Sequence, residues 1–422
     1  MVTRGQSFLE FRIWWLAGFL VLLCGAEPVH ADGFQFPGLG AEALGRGGAV
    51  VADARDWTAI YWNPARLPYL EGERGELSFE LIQSHFTSRD DNSIATSPIF
   101  QLPPVSFPAN FQLTELNGIA HLPAAGGATR LNDRAALGFG VYAPLLNGVD
   151  FLDTLDLGPM GLTGVFDTEL YNLVFNGSVG FELTDSWSIG GGLNVVYSDL
   201  SLVSTQKLSG LVDIEQSLEL DGNGFGLEGQ AGVAFLARDD LRFGATFRSG
   251  AETDIQGNAV VMLTGLVDAT SDFTFPFRQP AVVVLGAAWD VRPGFSLSFD
   301  WQRTFWNDFQ NGIDFSDPLI PDIENTAAWQ DSNRYRVGFL LAFNERQRIA
   351  WGYYYAERAA DAPDFTGVTD GNLHHVTFNY SHDFSRVGLD VGVLTGGGSY
   401  ATANNETFSG GTQLNLGFRY RW

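Results

Sequence analysis

The sequence predicts an all-β protein: a 14-stranded antiparallel transmembrane β-barrel with an N-terminal plug, or hatch, in its lumen. Three observations lead to this fold class. Apolar and polar residues alternate along many segments, the links between these segments are alternately short and long, and the chain opens with an export signal. A soluble β-sandwich gives the same alternation and can also be exported, so it is the alternating link lengths that favour the barrel.

The composition excludes several functional classes. The chain has 422 residues, and its 49 acidic against 24 basic residues give a formal net charge of -25, which opposes binding to nucleic-acid phosphates. The single cysteine excludes a disulfide framework and any zinc site with two or more thiolates. The mean hydropathy of +0.00 is too low for a bundle of membrane-spanning helices.

Residues 1–31 have the features of a secretory signal peptide. An apolar run over residues 13–23 follows two arginines and precedes a small-residue cleavage site that ends at Ala31. The run is too short to span a bilayer as a helix. We therefore expect an exported mature chain that begins at Asp32.

Strict alternation of apolar and polar residues recurs along the mature chain. Residues 295–302 show it clearly, since every second residue is apolar and Ser296, Ser298 and Asp300 lie between them. The last nine residues, which end at Trp422, repeat the pattern. Successive strand residues point to opposite faces, so each predicted strand has one apolar face and one polar or small face.

The links between candidate strands alternate in length. Tight links are predicted at residues 183–186, 292–294 and 383–385, whereas residues 87–112 and 200–222 read as long loops. The second link, over residues 123–134, is also predicted as a loop. Short turns at one end and long loops at the other are typical of bacterial outer-membrane barrels. The fourteen strands are expected to begin near Leu77, Leu113, Ala135, Glu169, Trp187, Gly224, Leu241, Ala281, Phe295, Asn333, Arg348, Asn372, Arg386 and Thr412.

Residues 32–75 do not read as strands. Glycines are frequent between residues 38 and 48, and Asn63-Pro64 initiates a turn. The segment is too short for a well-filled core of its own, so we expect it to use the barrel interior. The predicted organisation is a signal peptide over 1–31, a hatch over 32–75 and a barrel over 76–422.

This segment resembles the N-terminal hatch of the FadL-type outer-membrane transporters, the family of long-chain fatty acid and toluene or xylene uptake channels. The resemblance extends over essentially the whole mature chain, because a plug of this size and fourteen strands are that family's architecture. The residues that carry it are Gly33-Phe34-Gln35, Ala43-Leu44-Gly45-Arg46, Gly47-Gly48-Ala49, Ala52-Asp53-Ala54 and Asn63-Pro64-Ala65.

The resemblance implies passive, ligand-gated uptake of a hydrophobic compound, with long-chain fatty acids expected first. Uptake of monoaromatic hydrocarbons, or a surface-assembly scaffold on the same barrel, are the alternatives. No enzyme, cofactor or metal is expected, because neither Gly-x-Ser-x-Gly nor His-Glu-x-x-His occurs and the adjacent His374 and His375 point to opposite strand faces. Expected partners are outer-membrane lipid, lipopolysaccharide and, through the strand ending at Trp422, the barrel-assembly machinery. A monomer without nucleic-acid partners is expected.

The resemblance also implies ligand-binding residues. Phe34 matches by position the N-terminal tail that lines an internal pocket. Loops over residues 200–220 and 259–267 would form an outer capture groove, because exposed apolar patches mark binding sites. Its apolar contacts would be Leu208, Leu211, Val260 and Met262. Packing of the two loops against each other as a lid is the alternative.

A lateral gate is implied in the third strand, over residues 135–144, where Gly138 and Gly140 share one face. The alternative is that these glycines make room for plug atoms. Alternation also turns charged side chains toward the lumen, and we expect most of them to form ion pairs and hydrogen bonds with the hatch, for example with Arg46, Asp53, Asp56 and Arg66. One or two arginines could instead neutralise a fatty-acid carboxylate. These lumen side chains are Glu80, Glu182, Glu228, Arg242, Arg248, Asp300, Arg336 and Arg419.

Overall fold

The computed structural model describes residues 37–70, 75–90, 116–156, 161–209, 214–264, 267–309, 312–318, 320–323, 329–359, 372–401 and 406–422. Within these ranges seventeen strands form one antiparallel sheet. They are β1 (Gly75–Asp90), β2 (Leu116–Asn132), β3 (Ala135–Asp156), β4 (Gly161–Glu182), β5 (Trp187–Ser209), β6 (Ile214–Arg238), β7 (Leu241–Arg248), β8 (Glu252–Leu263), β9 (Val267–Arg278), β10 (Val282–Arg292), β11 (Phe295–Thr304), β12 (Asp314–Phe315), β13 (Ser332–Asn344), β14 (Gln347–Ala356), β15 (Leu373–Phe384), β16 (Val387–Ala401) and β17 (Glu406–Arg421).

The sheet closes on itself because β1 pairs with both β2 and β17. Fourteen strands complete the circuit: β1 to β7, β10, β11 and β13 to β17. The remaining three extend the wall at one end, where β8 pairs with β6, β9 with β8, and β12 with β9. The structure confirms the predicted closed 14-stranded antiparallel barrel.

The two faces of the wall differ as expected for a barrel in a membrane. Large apolar side chains point outward and are exposed, such as Phe79 at 52% and Phe299 at 45%. The adjacent Glu80 and Asp300 are buried on the inner face. A soluble sandwich would bury the apolar face instead, so this arrangement excludes it.

Helices are few and short in the part of the chain that is described. They are α1 (Ala41–Gly45), α2 (Ala59–Trp62) and two 3-10 helices, Pro64–Tyr69 and Trp306–Asp308. None of the helices among these residues is long and apolar enough to cross a membrane.

The tight links are confirmed, with turns at residues 183–186, 239–240, 293–294, 345–346 and 385–386. We call this the short-turn end of the barrel and the opposite end the long-loop end. The predicted loop over residues 123–134 is wrong, since β2 continues to Asn132 and only residues 133–134 turn. This stretch looks unlike a strand because it is rich in Ala and Gly. Small residues are needed there, since a Cβ on Gly126 would lie 2.3 Å from the Trp57 ring.

The predicted loops over residues 200–220 and 259–267 are also mostly strand. β5 continues to Ser209, β6 begins at Ile214, and β8 continues to Leu263. Leu200 and Leu202 follow the period of two that is typical of a strand, and both face inward. Leucines of β6 continue the same inward face, so the wall rises well above the ring of fourteen strands.

Candidate functional site

Residues 37–70, called here the N-terminal segment, lie against the inner wall at the short-turn end. The backbone N–H groups of Val50 and Val51 donate to Asp300 Oδ2 at 2.9 and 3.0 Å. Gly40 N donates to Glu80 Oε2 at 3.0 Å, and Trp57 N donates to the Glu76 carboxylate. Wall carboxylates thus satisfy buried backbone donors and fix the register of the segment.

The Asn63-Pro64-Ala65 motif connects the segment to itself and to the wall. Asn63 is fully buried, and its Nδ2 donates to Val51 O at 2.9 Å and Val233 O at 3.1 Å. Its Oδ1 accepts from Ala65 N at 3.1 Å, which caps the 3-10 helix that Pro64 begins. Ser188 Oγ of β5 donates to Ala65 O at 2.9 Å. Each residue of the motif therefore has a defined structural role.

Arg46 and Asp53 form the charged centre of the segment. Arg46 Nη1 lies 3.1 Å from Asp53 Oδ2, and Arg46 Nη2 donates to Ser298 Oγ at 3.1 Å. Arg55 and Arg242 also pair with Asp53, at 2.9 and 3.0 Å. Burial opposes ionisation of Asp53, yet Arg55, Arg46 and Arg242 together hold its pKa well below the usual range.

The predicted lumen charges divide into two groups. Glu80, Arg242 and Asp300 contact the segment as described above, while Arg336 lies over the Trp62 ring at 5.8 Å and Arg248 over the Tyr61 ring at 4.5 Å. Glu80, Arg242 and Asp300 thus make the expected polar contacts with the segment, and Arg336 and Arg248 add cation–π contacts to it.

The other three lumen charges, and two predicted partners, differ from expectation. Arg419 pairs with Asp390 at 2.9 Å and Glu228 accepts from Asn194, both within the wall. Glu182 lies half-buried beside the 183–186 turn. Asp56 accepts a hydrogen bond from Thr58, and the Arg66 guanidinium lies over the Tyr69 ring. Both residues thus contact the segment itself, whereas we had expected them to pair with charges of the wall.

A cavity of about 80 Å³ lies above the segment, between it and the long-loop end. Its lining is mainly apolar and aromatic, and Arg248 is its one guanidinium among the described residues. The lining consists of Tyr61, Tyr142, Pro144, Val174, Asn194, Val196, Glu228, Arg248, Phe277, Gln279, Pro280, Val282, Trp306 and Phe309. Such a site suits an apolar ligand that carries one polar group. Sequence reasoning missed the cavity, because its lining comes from eight or more separate elements.

The wall beside this cavity has an unpaired seam. Pairing between β2 and β3 ends at Ala124 and Tyr142. Above that level, residues 116–123 of β2 pair with β1 and residues 145–156 of β3 pair with β4, but not with each other. The register of β3 shifts between Tyr142 and Leu145, where Pro144 lacks an N–H for the ladder. Tyr142 and Pro144 also line the cavity.

Gly138 and Gly140, the predicted gate residues, lie below this seam in the paired part of β3. A Cβ on either glycine would lie 2.5 Å from Ile60 of the N-terminal segment. Their position fits the alternative that the glycines make room for plug atoms. The strand irregularity itself lies at residues 143–144.

The predicted ligand-binding residues are not brought together in the described structure. Phe34 and Leu211 lie outside the described residues. Leu208 is near the end of β5, and nothing is described of its side chain. Val260, 39% exposed, and the half-buried Met262 share the outer face of β8. They therefore point away from the cavity.

The described part of the structure holds no metal-binding cluster of side chains. No group of three or more His, Cys, Asp or Glu residues there is arranged to hold a metal ion. His374 is exposed, with its Nδ1 2.6 Å from the Tyr353 hydroxyl, while the adjacent His375 is 4% exposed and stacks on Tyr354. The two histidines lie on opposite faces, as predicted.

Comparison with known proteins gives one consistent result. The family described as "Outer membrane protein transport protein (OMPP1/FadL/TodX)" matches residues 22–419. The long-chain fatty acid transport protein of Salmonella typhi is 22% identical over 395 residues, which cover 86% of each chain. Among solved structures, a Pseudomonas aeruginosa FadL homologue has a TM-score of 0.73 at 14% identity, covering 92% of this chain and 99% of that one. The P. putida toluene transporter TodX has a TM-score of 0.72 at 16% identity, with coverage of 92% and 99%.

Proposed function

Since the chain is a bacterial outer-membrane β-barrel that belongs to the outer membrane protein transport protein family (OMPP1/FadL/TodX), we propose that it takes up hydrophobic compounds by passive diffusion and that long-chain fatty acids are its substrates. The observation that carries this proposal is the position of the mainly apolar cavity next to the unpaired β2–β3 seam. The N-terminal segment acts as the hatch, which blocks a straight aqueous path through the lumen.

The exit is lateral, from the cavity through the seam into the lipid. A ligand that leaves sideways keeps its apolar surface away from water. This avoids a hydration cost of about 0.8 kcal/mol for each methylene group. A route past the hatch would instead lead through the polar contacts around Asp53 and Asp300. The seam thus provides the path with the lower desolvation cost.

Arg248 favours fatty acids over neutral hydrocarbons. Its guanidinium borders the cavity, where it would neutralise a carboxylate through charge-assisted hydrogen bonds. A relative with 22% identity carries the name long-chain fatty acid transport protein. The second candidate is uptake of monoaromatic hydrocarbons, and the aromatic rings of Tyr61, Tyr142 and Phe277 in a small cavity favour it.

The proposal is tested by uptake of labelled oleate and of toluene into cells whose only such channel is this protein. We expect oleate uptake that falls in Arg248→Gln, because the carboxylate loses its partner. The matched control is Arg303→Gln, which removes an outward-facing arginine paired with Asp331. Toluene uptake without oleate uptake would establish the second candidate. Uptake of neither compound by a correctly inserted barrel would overturn the proposal and favour the scaffold.

The lateral exit has its own test in β3. Between Tyr142 and Leu145 this strand has one residue more than its partner β4. Deleting Pro144 removes the extra residue and makes β3 regular. We then expect β2 and β3 to pair beyond Tyr142, which closes the seam and abolishes oleate uptake. The control Pro144→Ala keeps the residue count and should keep the uptake. Full uptake by the deletion variant would exclude the seam as the exit.

Two further ligand contacts belong to the proposal. Phe34 would line the internal site, so deletion of residues 32–34 should abolish oleate uptake. Leu208, Leu211, Val260 and Met262 would form an outer capture surface. Val260→Ser should then lower uptake mainly at low oleate concentration, and equal uptake at all concentrations would remove this surface from the proposal.

We propose further that lipid and lipopolysaccharide surround a monomeric barrel, and that the barrel-assembly machinery recognises the last strand. Trp422 follows β17 directly and is 38% exposed on the outside. Deleting Trp422 should reduce the amount of barrel in the outer membrane without changing uptake per inserted molecule. Unchanged insertion would contradict recognition through this residue.

A further inference from the structure

The chain leaves the barrel wall between β11 and β12. β11 ends at Thr304 beside Val282, and the wall resumes at Asp314, which pairs with Thr274 of β9. Residues 305–309, called here the inward turn, lie between these positions and include the second 3-10 helix. The turn projects into the barrel, since Trp306 is 1% exposed and Phe309 is buried.

The two aromatic side chains of the inward turn belong to a group of four packed rings. Ring centroids of Trp306 and Phe309 are 5.4 Å apart, and Trp329 lies 4.9 and 4.6 Å from them. Phe277 of β9 meets Phe309 edge-to-face at 6.1 Å. Trp306, Phe309 and Phe277 also line the cavity, so these rings form one of its boundaries.

The same rings belong to a second apolar region. Trp306 and Phe309 pack in a buried cluster with inward-facing residues of β5, β6, β8 and β9, among them Leu202, Leu220 and Phe273. This cluster fills the raised part of the wall. A continuous apolar region therefore runs from the long-loop end to the cavity, and the inward turn lies where the two meet.

The inward turn has few polar attachments to the wall. Phe305 N donates to Ala281 O at 3.0 Å, and Asn307 N donates to Asp331 Oδ1 at 3.1 Å. The indole Nε1 of Trp306 is buried without a hydrogen-bond partner among the described residues. A buried donor without a partner is unfavourable, so the Trp306 indole would be stabilised by an acceptor that a ligand supplies.

We propose that the inward turn is an outer gate for the ligand, and that Trp306 and Phe309 decide what enters the cavity. This inference rests on the proposed function. A hydrophobic ligand enters along the apolar cluster, replaces the contacts of the two rings, and moves them aside together with β12. The Trp306 N–H then donates to the polar group of the ligand as it passes.

A reversible crosslink between β9 and β12 tests the gate. Thr274 and Asp314 are directly paired, which suits disulfide geometry, and the sequence's single cysteine, Cys24, lies in the predicted signal peptide. We expect the oxidised Thr274→Cys/Asp314→Cys variant to take up labelled oleate about tenfold more slowly than the reduced form. The matched control is Asn258→Cys/Asp272→Cys, which joins two residues of β8 and β9 that are already paired. Its uptake should not depend on oxidation.

A second variant keeps the inference falsifiable if the cysteine pair is inactive in both forms. Trp306→Ala removes the larger ring, so oleate uptake should rise about threefold. Trp306→Phe keeps a ring and removes the N–H donor, and we expect it to slow oleate uptake but not toluene uptake. Equal oleate uptake by the wild type, Trp306→Ala and the oxidised crosslink would overturn the gate. Lack of uptake by the wild type would instead overturn the proposed function.

Discussion

The two ends of the barrel interior are filled in contrasting ways. At the short-turn end, charged and backbone groups of the N-terminal segment meet carboxylates and arginines of the wall at 2.9–3.0 Å. At the long-loop end, inward-facing aliphatic and aromatic side chains of β5, β6, β8 and β9 pack against one another in a buried cluster. Hydrogen bonds are directional and define one arrangement, whereas apolar contacts allow a ligand to replace a side chain. Under the proposed function, this difference distinguishes an end whose contacts fix one arrangement from an end that a ligand would enter.

The largest expected effect concerns the apolar end. Phe275 is fully buried and lies 5.7 Å from Phe277 between ring centroids. Phe275→Ala should lower the free energy of unfolding by about 4 kcal/mol, because it leaves a cavity in the cluster. Urea unfolding followed by tryptophan fluorescence measures the change. The control is Phe79→Ala on the lipid-facing side, and equal losses in both variants would show that the cluster is not tightly packed.

A somewhat smaller effect is expected at the charged end. Asp53→Asn removes the carboxylate that pairs with the buried Arg46 and with the partly buried Arg55 and Arg242. We therefore expect a loss of about 3 kcal/mol in the stability of the docked segment. Hydrogen exchange of residues 37–70 measures it. Asp240→Asn is the control, since Asp240 pairs with Arg238 on the exposed surface. If the two variants exchange alike, the charged contacts do not hold the segment in place.

Steric fit between segment and wall gives the third prediction. A Cβ on Gly140 would lie 2.5 Å from Ile60 and 2.8 Å from Trp57. Gly140→Ala should therefore destabilise docking by about 2 kcal/mol through overpacking. Gly177 of β4 has nothing within 4 Å of its added Cβ, so Gly177→Ala is a matched control. Thermal unfolding compares the two, and a smaller loss in Gly140→Ala than in Gly177→Ala contradicts the close fit.

Low pH should weaken the contacts between the N-terminal segment and the wall. Burial opposes ionisation of Glu42, but Arg348, Arg419 and Arg46 lower its pKa to about 2, and Arg348 Nε lies 3.0 Å from its carboxylate. Because this pKa lies below the unfolded value of 4.5, the stabilisation is present above that value and is lost as pH falls toward 2. Going from neutral pH to about pH 3.5 should cost about 1 kcal/mol.

Unfolding measured at both pH values checks this expectation in the wild type and in Glu42→Gln. The variant cannot lose a carboxylate charge at this position, so its stability should depend less on pH. A steeper pH dependence in Glu42→Gln would contradict the role given to this residue.

Local patterns predicted the parts of the fold that depend on local chemistry. Alternation identified Glu80, Arg242 and Asp300 as inward-facing, because the face of a strand residue follows from its position alone. The same reasoning failed over residues 123–134, where small residues serve the close approach of Trp57, a contact between distant parts of the chain. The reasoning failed again after Leu200, where a loop was predicted but β5 and β6 continue beyond the ring of fourteen strands.

The cavity could not be predicted, for a related reason. Tyr61, Tyr142, Arg248 and Trp306 meet only after the barrel closes, and none of them belongs to a motif. The inward turn could not be predicted either, because no motif in the sequence distinguishes Trp306 and Phe309 from aromatic residues of an ordinary loop. A pocket assembled from many strands depends on register and on the departure of the chain from the wall.

The contacts of the N-terminal segment have a consequence for the order of folding. Its backbone is held by Glu76 in β1, Asp300 in β11 and Thr377 in β15, and β1 also pairs with the last strand. The binding surface for the segment is thus complete only when the two ends of the sheet have met. Contacts this distant in sequence form late. The N-terminal segment is synthesised before the barrel strands, yet we expect it to be among the last parts to become ordered, so its docking would report that the ring has closed.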